Sequence, residues 1–362
     1  MAEKIDTAKL DQLLDKMLEN KSIFSATMKI ENSDGSFSWS GACGNMQSQD
    51  RYFIASVTKL YITAVVKKLI EEEKLALTDK ISEFLPDKYW KDLHLLNGKD
   101  YSDQISILHL ISNTSGLPDY FFHKQKNGRT AADDLLDGND GEWPIDKTID
   151  LVKNMKPNFK PGAKSFWPWT QHKAAYSDTN YQLLGKILEQ ITGNPISEIF
   201  RDYIFSELNF QNTYVYTDQD DHSPVPFYYG TKKLWLPKYI SSVGPEGGIV
   251  STADEVMIFI KEFFRGRFFP TEKIEELKKW NVIFPPPGLF LFGIGLEKLW
   301  IPRIASPFKY PGEILGFWGQ TGSFAFYNPK TDLYFCGTTN QINGTGHRLA
   351  AGMILKVIKS AM

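Results

Sequence analysis

The spacing of hydrophobic positions changes twice along the chain, and each change marks a different kind of secondary structure. Residues 23–32 and 37–44 contain short apolar runs joined by Ser-Asp-Gly, a pattern typical of two strands and a turn. From about Leu75 to Pro224 helical and loop patterns dominate. The helix predicted after Asp178 has one apolar face, formed by Leu184, Ile187, Leu188 and Ile191.

Strand-like runs return beyond residue 288, and an apolar-periodic helix over 346–362 closes the chain. Strands at both ends and a helical middle predict an α+β fold, in which both chain ends build one antiparallel sheet flanked by helices. We therefore expect a discontinuous α/β sandwich domain from residues 1–75 and 226–362. A mainly helical region over 76–225 would be inserted into it, with the active site between the two.

The stretch FIASVTKLYITAVVKKLIEEEK, residues 53–74, places a lysine among apolar residues. Ser56 stands where a strand-like segment gives way to a helix, and Lys59 shares its helix face. A lysine buried there either loses its proton more readily or acts as a fixed positive charge, and both roles activate a serine hydroxyl. The helix N-terminus also offers the Ser56 N–H to a developing oxyanion.

The Ser-x-x-Lys spacing alone has an ordinary structural alternative. Ser56 could simply be a helix N-cap, with Lys59 extending its ammonium group to solvent. The spacing also occurs at Ser306 and Lys309, where the following Tyr-Pro-Gly predicts a loop.

A second candidate motif lies in the stretch AAYSDTNYQLLGK. Tyr176 precedes the predicted helix, and Asp178 follows two residues later, so both side chains can point into the same space. Beside a cationic lysine, Tyr176 would have a lowered pKa and could take the proton of the serine. The alternative is a core tyrosine, with Asp178 or Thr179 capping the helix.

A third candidate is the small-residue turn at the start of a predicted strand, Gln320-Thr321-Gly322-Ser323. A glycine here lets a ligand approach the backbone closely. The Ser323 N–H could then supply the second oxyanion donor. The alternative is an ordinary tight hairpin turn.

The three candidates occur in the order that is typical of the serine β-lactamase-like hydrolases. This chain therefore resembles class C β-lactamases, D-alanyl-D-alanine carboxypeptidases and the related family VIII-type esterases. Their motifs S-x-x-K, Y-x-N or a variant, and K/H-T-G are similar to Ser56–Lys59, Tyr176–Asp178 and Gln320–Gly322. The resemblance extends from about Phe24 to the last helix and includes the connecting stretches ISILHLISNTSGLPDY, YSDTNYQLLGKILEQITG and GPEGGIVSTADEVMIF.

The resemblance implies an acyl-enzyme mechanism on an α/β sandwich with a helical insertion. Ser56 would attack a carbonyl, Lys59 and Tyr176 would move the proton, and the N–H groups of Ser56 and Ser323 would stabilise the oxyanion. Asp178 and the turn of Gln320, Thr321 and Gly322 would contact the substrate. The resemblance implies no metal and no organic cofactor.

Two positions depart from the family pattern, and both bear on the substrate. Gln320 stands where Lys or His is usual, and Asp178 stands where Asn is usual. We therefore expect an esterase or a small-peptide hydrolase with weak β-lactamase activity at most. The same departures motivate a second hypothesis, a catalytically silent binding protein on the penicillin-binding fold.

Composition narrows the classes of function. The chain has 362 residues, 42% of them hydrophobic, and 41 Lys and Arg against 43 Asp and Glu, a formal net charge of −2. That balance gives no footprint for nucleic acid, and no run approaches the ~18 apolar residues of a transmembrane helix. We expect a small-molecule or peptide substrate and a cytoplasmic protein if the N-terminus is native. An exported protein whose leader precedes this numbering is the alternative, and the oligomeric state is not fixed by the sequence.

Cysteines, histidines and aromatic residues add three further expectations. Cys43 and Cys336 lie in strand-like stretches, so we expect buried free thiols. A Ser-His-Asp hydrolase is disfavoured because the chain lacks a G-x-S-x-G sequence and its histidines fit no catalytic motif; they are interpreted as core or surface residues. By their place in the family pattern, residues 119–123 and 165–170 should flank the cleft, although the same aromatics could simply fill the core.

Overall fold

The computed structural model describes residues 5–125, 127–168, 170–283, 290–305 and 308–362. The strands are β1 (Ser25–Asn32), β2 (Ser38–Gly44), β3 (Tyr52–Phe53), β4 (Leu95–Leu96), β5 (Lys99–Asp100), β6 (Tyr214–Val215), β7 (Phe227–Tyr229), β8 (Lys232–Leu234), β9 (Ile249–Ser251), β10 (Asn281–Val282), β11 (Phe290–Phe292), β12 (Glu297–Leu299), β13 (Leu315–Trp318), β14 (Ser323–Asn328) and β15 (Leu333–Thr338).

The helices follow the apolar patterns closely, and two of them show well-defined caps. Thr252 accepts a hydrogen bond from the Glu255 N–H at the start of its helix, and Gly193 in the left-handed conformation ends the helix that begins at Asp178. The helices are α1 (Thr7–Asp15), α2 (Thr58–Glu71), α3 (Asp87–Trp90), α4 (Ile107–Ile111), α5 (Ala131–Leu136), α6 (Ile145–Lys153), α7 (Asp178–Thr192), α8 (Ile196–Phe200), α9 (Pro237–Ser242), α10 (Gly244–Gly247), α11 (Ala253–Phe264), α12 (Ile274–Leu277) and α13 (Thr345–Ala361).

The main sheet has the order β10-β11-β12-β13-β14-β15-β1-β2, and every pairing in it is antiparallel. The first and last parts of the chain meet where β1 pairs with β15, Thr27 opposite Thr338. The α+β prediction of one antiparallel sheet built from both chain ends is therefore confirmed. The exact boundaries of the sandwich and of the insertion remain a prediction.

Helices cover both faces of this sheet because its strands alternate side chains between two apolar layers. Phe326 and Phe335 pack in one cluster with residues of α1 and α13. Ala325 and Cys336, one position away on the same strands, pack in the other cluster with residues of α2 and α11. The second layer continues into the helices of the inserted region, so α2 lies buried between the sheet and the insertion.

Several smaller expectations can be checked against the same structure. Cys43 and Cys336 are buried free thiols, as predicted. The predicted loop at Ser306–Lys309 lies partly outside the described residues, which exclude Ser306 and Pro307. Among the helices that the structure describes, none is both long enough and apolar enough to cross a bilayer.

Candidate active site

Ser56 lies on a tight connection between a short strand and the buried helix α2. Strand β3 ends at Phe53, and a 3₁₀ turn over Ala55–Val57 precedes α2. Ala55 has a φ of 45°, a left-handed conformation that is uncommon for a residue with a side chain and is found mainly at functional sites. Ser56 does not cap α2, which has no side-chain hydrogen bond at its N-cap. The N-cap alternative is therefore wrong.

The Ser56 hydroxyl contacts both predicted proton-handling groups. Lys59 Nζ donates a hydrogen bond of 2.9 Å to Ser56 Oγ. The Tyr176 hydroxyl lies 2.8 Å from the same oxygen. The Lys59 contact follows from one helical turn, whereas the Tyr176 contact joins residues that are 120 positions apart in the sequence. The fold thus brings together the nucleophile and the two groups that could move its proton.

Lys59 is fully buried and does not extend to solvent, so the solvent-exposed alternative is also wrong. Its ammonium group lies 2.7 Å from Asp178 Oδ1 as an ion pair and donates to the Glu246 carbonyl at 2.8 Å. With the bond to Ser56, the ammonium group donates two hydrogen bonds and faces one carboxylate as an ion pair. Because a buried cation is costly without a partner, Asp178 explains how Lys59 is tolerated in the core.

Tyr176 differs from the sequence-based prediction in its acidity. Burial raises the pKa of Tyr176 well above its usual value, and the negative charge of Asp178 raises it further. The hydrogen bond with Ser56 lowers the pKa but does not outweigh these effects. The prediction of a lowered pKa was wrong because it counted the Lys59 charge and omitted both burial and Asp178. The phenol therefore keeps its proton in the free protein.

The turn between β13 and β14 is attached to the backbone that leads into Ser56. Thr321 Oγ1 donates to the Phe53 carbonyl at 2.7 Å, and Ser323 Oγ donates to the Ile54 carbonyl at 2.6 Å. The Gly319 N–H bonds to the Ser323 carbonyl at 2.8 Å. These bonds fix the position of the turn relative to the residues that precede Ser56.

The backbone direction of Ser323 follows from the pairing pattern. The Thr339 N–H donates to the Gly322 carbonyl, which makes Ser323 and Thr338 a non-hydrogen-bonded pair. The N–H and C=O of Ser323 therefore both point away from β15 and toward the side of the turn. This direction is compatible with the predicted oxyanion donor, which itself stays a prediction.

A cavity of about 850 Å³ opens beside the nucleophile. Of the predicted site residues it is lined by Ser56, Tyr176, Asp178, Gln320 and Thr321. The remaining predicted residues are buried and do not line it, and they are Lys59, Gly322 and Ser323. The volume is in the range of ordinary small-molecule sites.

Aromatic and aliphatic side chains form much of the cavity wall. The predicted contribution of residues 119–123 is confirmed, since Asp119, Phe121, Phe122 and His123 line the cavity. The described residues of the range 165–170 do not line it, and Trp169 lies outside the described part of the chain. The apolar wall suits an aliphatic or aryl group of a substrate.

Three buried carboxyl groups lie in the cavity wall, those of Asp119, Glu246 and Glu297. The sequence pattern placed Asp119 beside the cleft without a role for its carboxyl group, and Glu246 and Glu297 were not predicted. Burial raises the pKa of Asp119 to about 8, and Asp178 adds to this rise. Burial likewise raises the pKa of Glu297 to about 8, and it raises that of Glu246 well above its usual value. The signal was present in the sequence, where Glu246 lies in a glycine-rich turn and Glu297 follows an apolar run.

The interpretation of all histidines as core or surface residues also needs correction. His347 lines the cavity, and its Nε2 lies 2.8 Å from the Gly319 carbonyl, to which it donates in the matching tautomer. His347 thus helps to hold the turn that precedes β14. His123 lines the cavity as well. No periodic pattern signals either position, because each depends on contacts between distant segments.

The sequence and the fold are similar to those of known proteins. The model of the Beta-lactamase family matches residues 10–356. An N-acetylmuramyl-L-alanine amidase of Bacillus subtilis (strain 168) is 27% identical over 185 residues, which are 50% of this chain and 37% of the amidase. The match thus spans little more than a third of that relative.

Two solved structures share the whole fold. A D-stereospecific amidohydrolase from Streptomyces sp. superposes with a TM-score of 0.76 at 22% identity, covering 96% of this chain and 97% of the other. The hydrolase EstCE1, which has promiscuous acyltransferase activity, superposes with a TM-score of 0.75 at 21% identity, covering 97% and 100%.

An antiparallel sheet flanked by helices, with a lysine and a tyrosine both in contact with one serine beside a cavity, is the architecture of the β-lactamase and penicillin-binding-protein type. Because the family model spans nearly the full sequence, the chain belongs to the beta-lactamase family.

Proposed function

We propose that this protein hydrolyses an ester or an amide through an acyl-enzyme on Ser56. One observation carries the proposal: Ser56 Oγ lies 2.9 Å from Lys59 Nζ and 2.8 Å from the Tyr176 hydroxyl, and it faces a cavity of about 850 Å³. A serine hydroxyl is a weak nucleophile unless neighbouring groups activate it. The contacts of Ser56 supply a fixed positive charge and a proton acceptor.

The raised pKa of Tyr176 assigns it the role of a proton relay. Ser56 Oγ attacks the substrate carbonyl and passes its proton to the Tyr176 oxygen, while Tyr176 gives its own proton to the leaving alcohol or amine. Lys59 stabilises the negative charge that develops on Ser56 Oγ. Water then attacks the acyl-enzyme, and the same relay returns a proton to Ser56 as the acid departs.

The oxyanion would be held by the N–H groups of Ser56 and Ser323. Both belong to backbone segments whose relative position is fixed by the side-chain bonds from Thr321 and Ser323. Such preorganised donors stabilise the transition state without rearrangement.

Gly319→Ala should test this arrangement. A Cβ at residue 319 would lie 2.1 Å from Ser323 Oγ and 2.3 Å from the Ile54 carbonyl oxygen, so the turn must move away from the Ser56 segment. A displacement near 1 Å costs on the order of 10²-fold in rate, so we expect kcat for a short aryl ester to fall by about 10- to 100-fold.

Gly352→Ala is the matched control, since a Cβ at residue 352 would meet no atom within 4 Å. It should leave kcat unchanged. Steady-state kinetics and thermal unfolding of both variants would be compared. A Gly319→Ala variant with full kcat would show that the position of this turn does not matter for catalysis.

The cavity wall offers little positive charge to an anionic substrate. Its described lining includes four carboxyl groups, from Asp119, Asp178, Glu246 and Glu297. Arg348 is exposed and is the only Lys or Arg side chain among the described lining residues. We therefore propose an esterase or small-peptide hydrolase whose β-lactamase activity is weak, since penicillins and cephalosporins carry a carboxylate.

Gln320→Lys should make the site more tolerant of anions. For the wild type we expect kcat/KM for nitrocefin to be at least ~10²-fold below that for a short aryl ester, because desolvating the nitrocefin carboxylate without a paired cation is costly. The substitution adds a cation to the cavity wall and should narrow this gap.

Gln211→Lys is the matched control, because it adds the same charge at an exposed position outside the cavity. It should leave the ratio unchanged. Efficient nitrocefin turnover by the wild type would contradict the charge argument and would indicate that Arg348 already holds the substrate carboxylate. An unchanged ratio in Gln320→Lys would show that residue 320 does not set the preference.

The competing hypothesis is a catalytically silent binding protein. Intact contacts among Ser56, Lys59 and Tyr176 argue against it, because a site without chemistry has no need to keep a buried lysine on a serine hydroxyl. Labelling with a fluorophosphonate or a fluorescent penicillin separates the two hypotheses. A silent protein would take up neither reagent.

A further inference from the structure

We propose that Glu297 anchors a subsite for a positively charged nitrogen of the substrate, such as a primary ammonium group, within the same cavity as Ser56. This inference rests on the proposed hydrolase function and names the substrate class more closely. It would make the protein selective for esters or amides that carry an amine.

The first observation is that Glu297 is a buried carboxyl with an unused oxygen. It lies at the start of β12, its exposed fraction is 6%, and it lines the cavity. Oε2 accepts a hydrogen bond of 3.0 Å from the Trp318 N–H. Oε1 receives no hydrogen bond from any residue that the structure describes. Because Glu297 lines the cavity, this oxygen is available to a donor group of a ligand that enters it.

The second observation is that Glu297 has no cation of its own. The adjacent Lys298 pairs with Glu313 at 2.9 Å instead. Lys59 acts on Glu297 through its charge, but it donates hydrogen bonds to Ser56 and the Glu246 carbonyl and pairs with Asp178. Burial accordingly raises the pKa of Glu297 to about 8. A bound ammonium group would supply the missing partner and would favour the ionised carboxylate.

The third observation is the position of Glu297 relative to the reacting atoms. Its partner Trp318 directly precedes the turn that is attached to the Ser56 segment. Glu297, Tyr176 and Ser56 also line the same cavity. A nitrogen held by Glu297 can therefore belong to the same small molecule whose carbonyl reaches Ser56.

The surrounding wall suits an ammonium group and disfavours a carboxylate. The rings of Phe290 and Trp318, whose centroids are 6.0 Å apart, also line the cavity, and aromatic faces attract cations. Asp119 contributes a second carboxyl in the same cavity; its Oδ1 accepts from two backbone N–H groups, and its Oδ2 accepts from no described residue. A carboxylate of a substrate would contact these carboxyl groups and would gain no compensating positive charge from them.

Kinetics with a matched pair of substrates tests the subsite. Phenylalanine p-nitroanilide carries an ammonium group that the p-nitroanilide of 3-phenylpropionic acid lacks. Both enantiomers of the phenylalanine compound would be measured. A charge-assisted hydrogen bond from that group should raise wild-type kcat/KM by about tenfold or more for the preferred enantiomer. Glu297→Gln should bring the ratio close to unity, whereas Glu297→Asp should retain part of the preference.

Glu313→Gln is the matched control, because Glu313 lies outside the cavity and pairs with Lys278 and Lys298. It should leave the ratio unchanged. The subsite would be overturned if wild-type kcat/KM were no higher for the ammonium-bearing anilide than for the neutral one. It would also be overturned if Glu297→Gln kept the full wild-type ratio. Activity on the neutral anilide in all variants would show that their folds and nucleophiles are intact.

Calorimetric binding of benzylamine and benzyl alcohol separates this inference from the proposed function. The protonated amine should bind the wild type at least about tenfold more tightly than the alcohol does, and Glu297→Gln should remove the difference. This result does not require hydrolysis, so it decides the subsite even if Ser56 proves inactive. Equal affinities for the two compounds in the wild type would contradict the subsite.

Discussion

Ser56→Ala should abolish hydrolysis and covalent labelling while the protein stays folded. The substitution removes the oxygen that lies 2.9 Å from Lys59 Nζ and 2.8 Å from the Tyr176 hydroxyl, and no acyl-enzyme can form without it. Removal of a nucleophile lowers kcat by about 10⁶-fold in serine hydrolases. Ser56 is only half-buried, so the small cavity that alanine leaves should change stability little. Turnover of an aryl ester and thermal unfolding measure both effects.

Ser206→Ala is a suitable control because Ser206 is an exposed serine outside the cavity. It should keep full activity and full labelling. Removal of a nucleophile usually leaves far less than about one per cent of the activity. A higher residual activity of Ser56→Ala would therefore contradict the nucleophile assignment.

Tyr176→Phe should lower kcat by about 10²- to 10⁴-fold, the usual contribution of a positioned proton-transfer group. The phenylalanine ring would retain the packing against Phe292, where the ring centroids are 6.4 Å apart, so stability should change little. KM should change less than kcat, since the lost hydroxyl contacts Ser56 and acts in the chemical step. Steady-state kinetics on the aryl ester gives both parameters.

Tyr229→Phe is the matched control, since Tyr229 is 42% exposed and does not line the cavity. Its kcat should equal that of the wild type. If Tyr176→Phe retains kcat within about threefold of wild type, a general proton-transfer role is untenable and Lys59 must move the proton of Ser56.

The sheet and the Ser56–Lys59 pair were predictable because each follows from local periodicity. Short apolar runs bounded by turn residues indicated β1 and β2 near one end of the chain, and strand-like runs indicated β14 and β15 near the other. The i, i+3 spacing brought Lys59, in the first turn of α2, to Ser56 in the 3₁₀ turn before it. The 3₁₀ turn with the strained Ala55 was not predictable, because that conformation is imposed by the surrounding structure.

Tyr176 and the turn of residues 320–323 were found by the order of their motifs. Their contacts join segments more than a hundred residues apart, and no local pattern specifies them. The electrostatics were less predictable still. The pKa of Tyr176 is raised because burial and Asp178 act together, and both depend on the complete packing of the site.

The carboxyl groups that line the cavity were equally hard to predict from the sequence. Asp119, Glu246 and Glu297 come from three distant segments, and only the folded chain places them around one buried lysine. The sequence suggested a loss of positive charge at residue 320. The structure adds that the described lining of the cavity holds four carboxyl groups and a single exposed arginine, so an anionic substrate would find little positive charge there.

The central claim is that Ser56 forms the covalent intermediate, and peptide mass mapping after reaction with a fluorophosphonate tests it most directly. The account predicts one added label on the peptide that contains Ser56, with fragmentation placing it on that residue. The same peptide should be unlabelled in Ser56→Ala. A label on Ser306, Ser323 or any other residue, or no label on the active wild type, would contradict the claim.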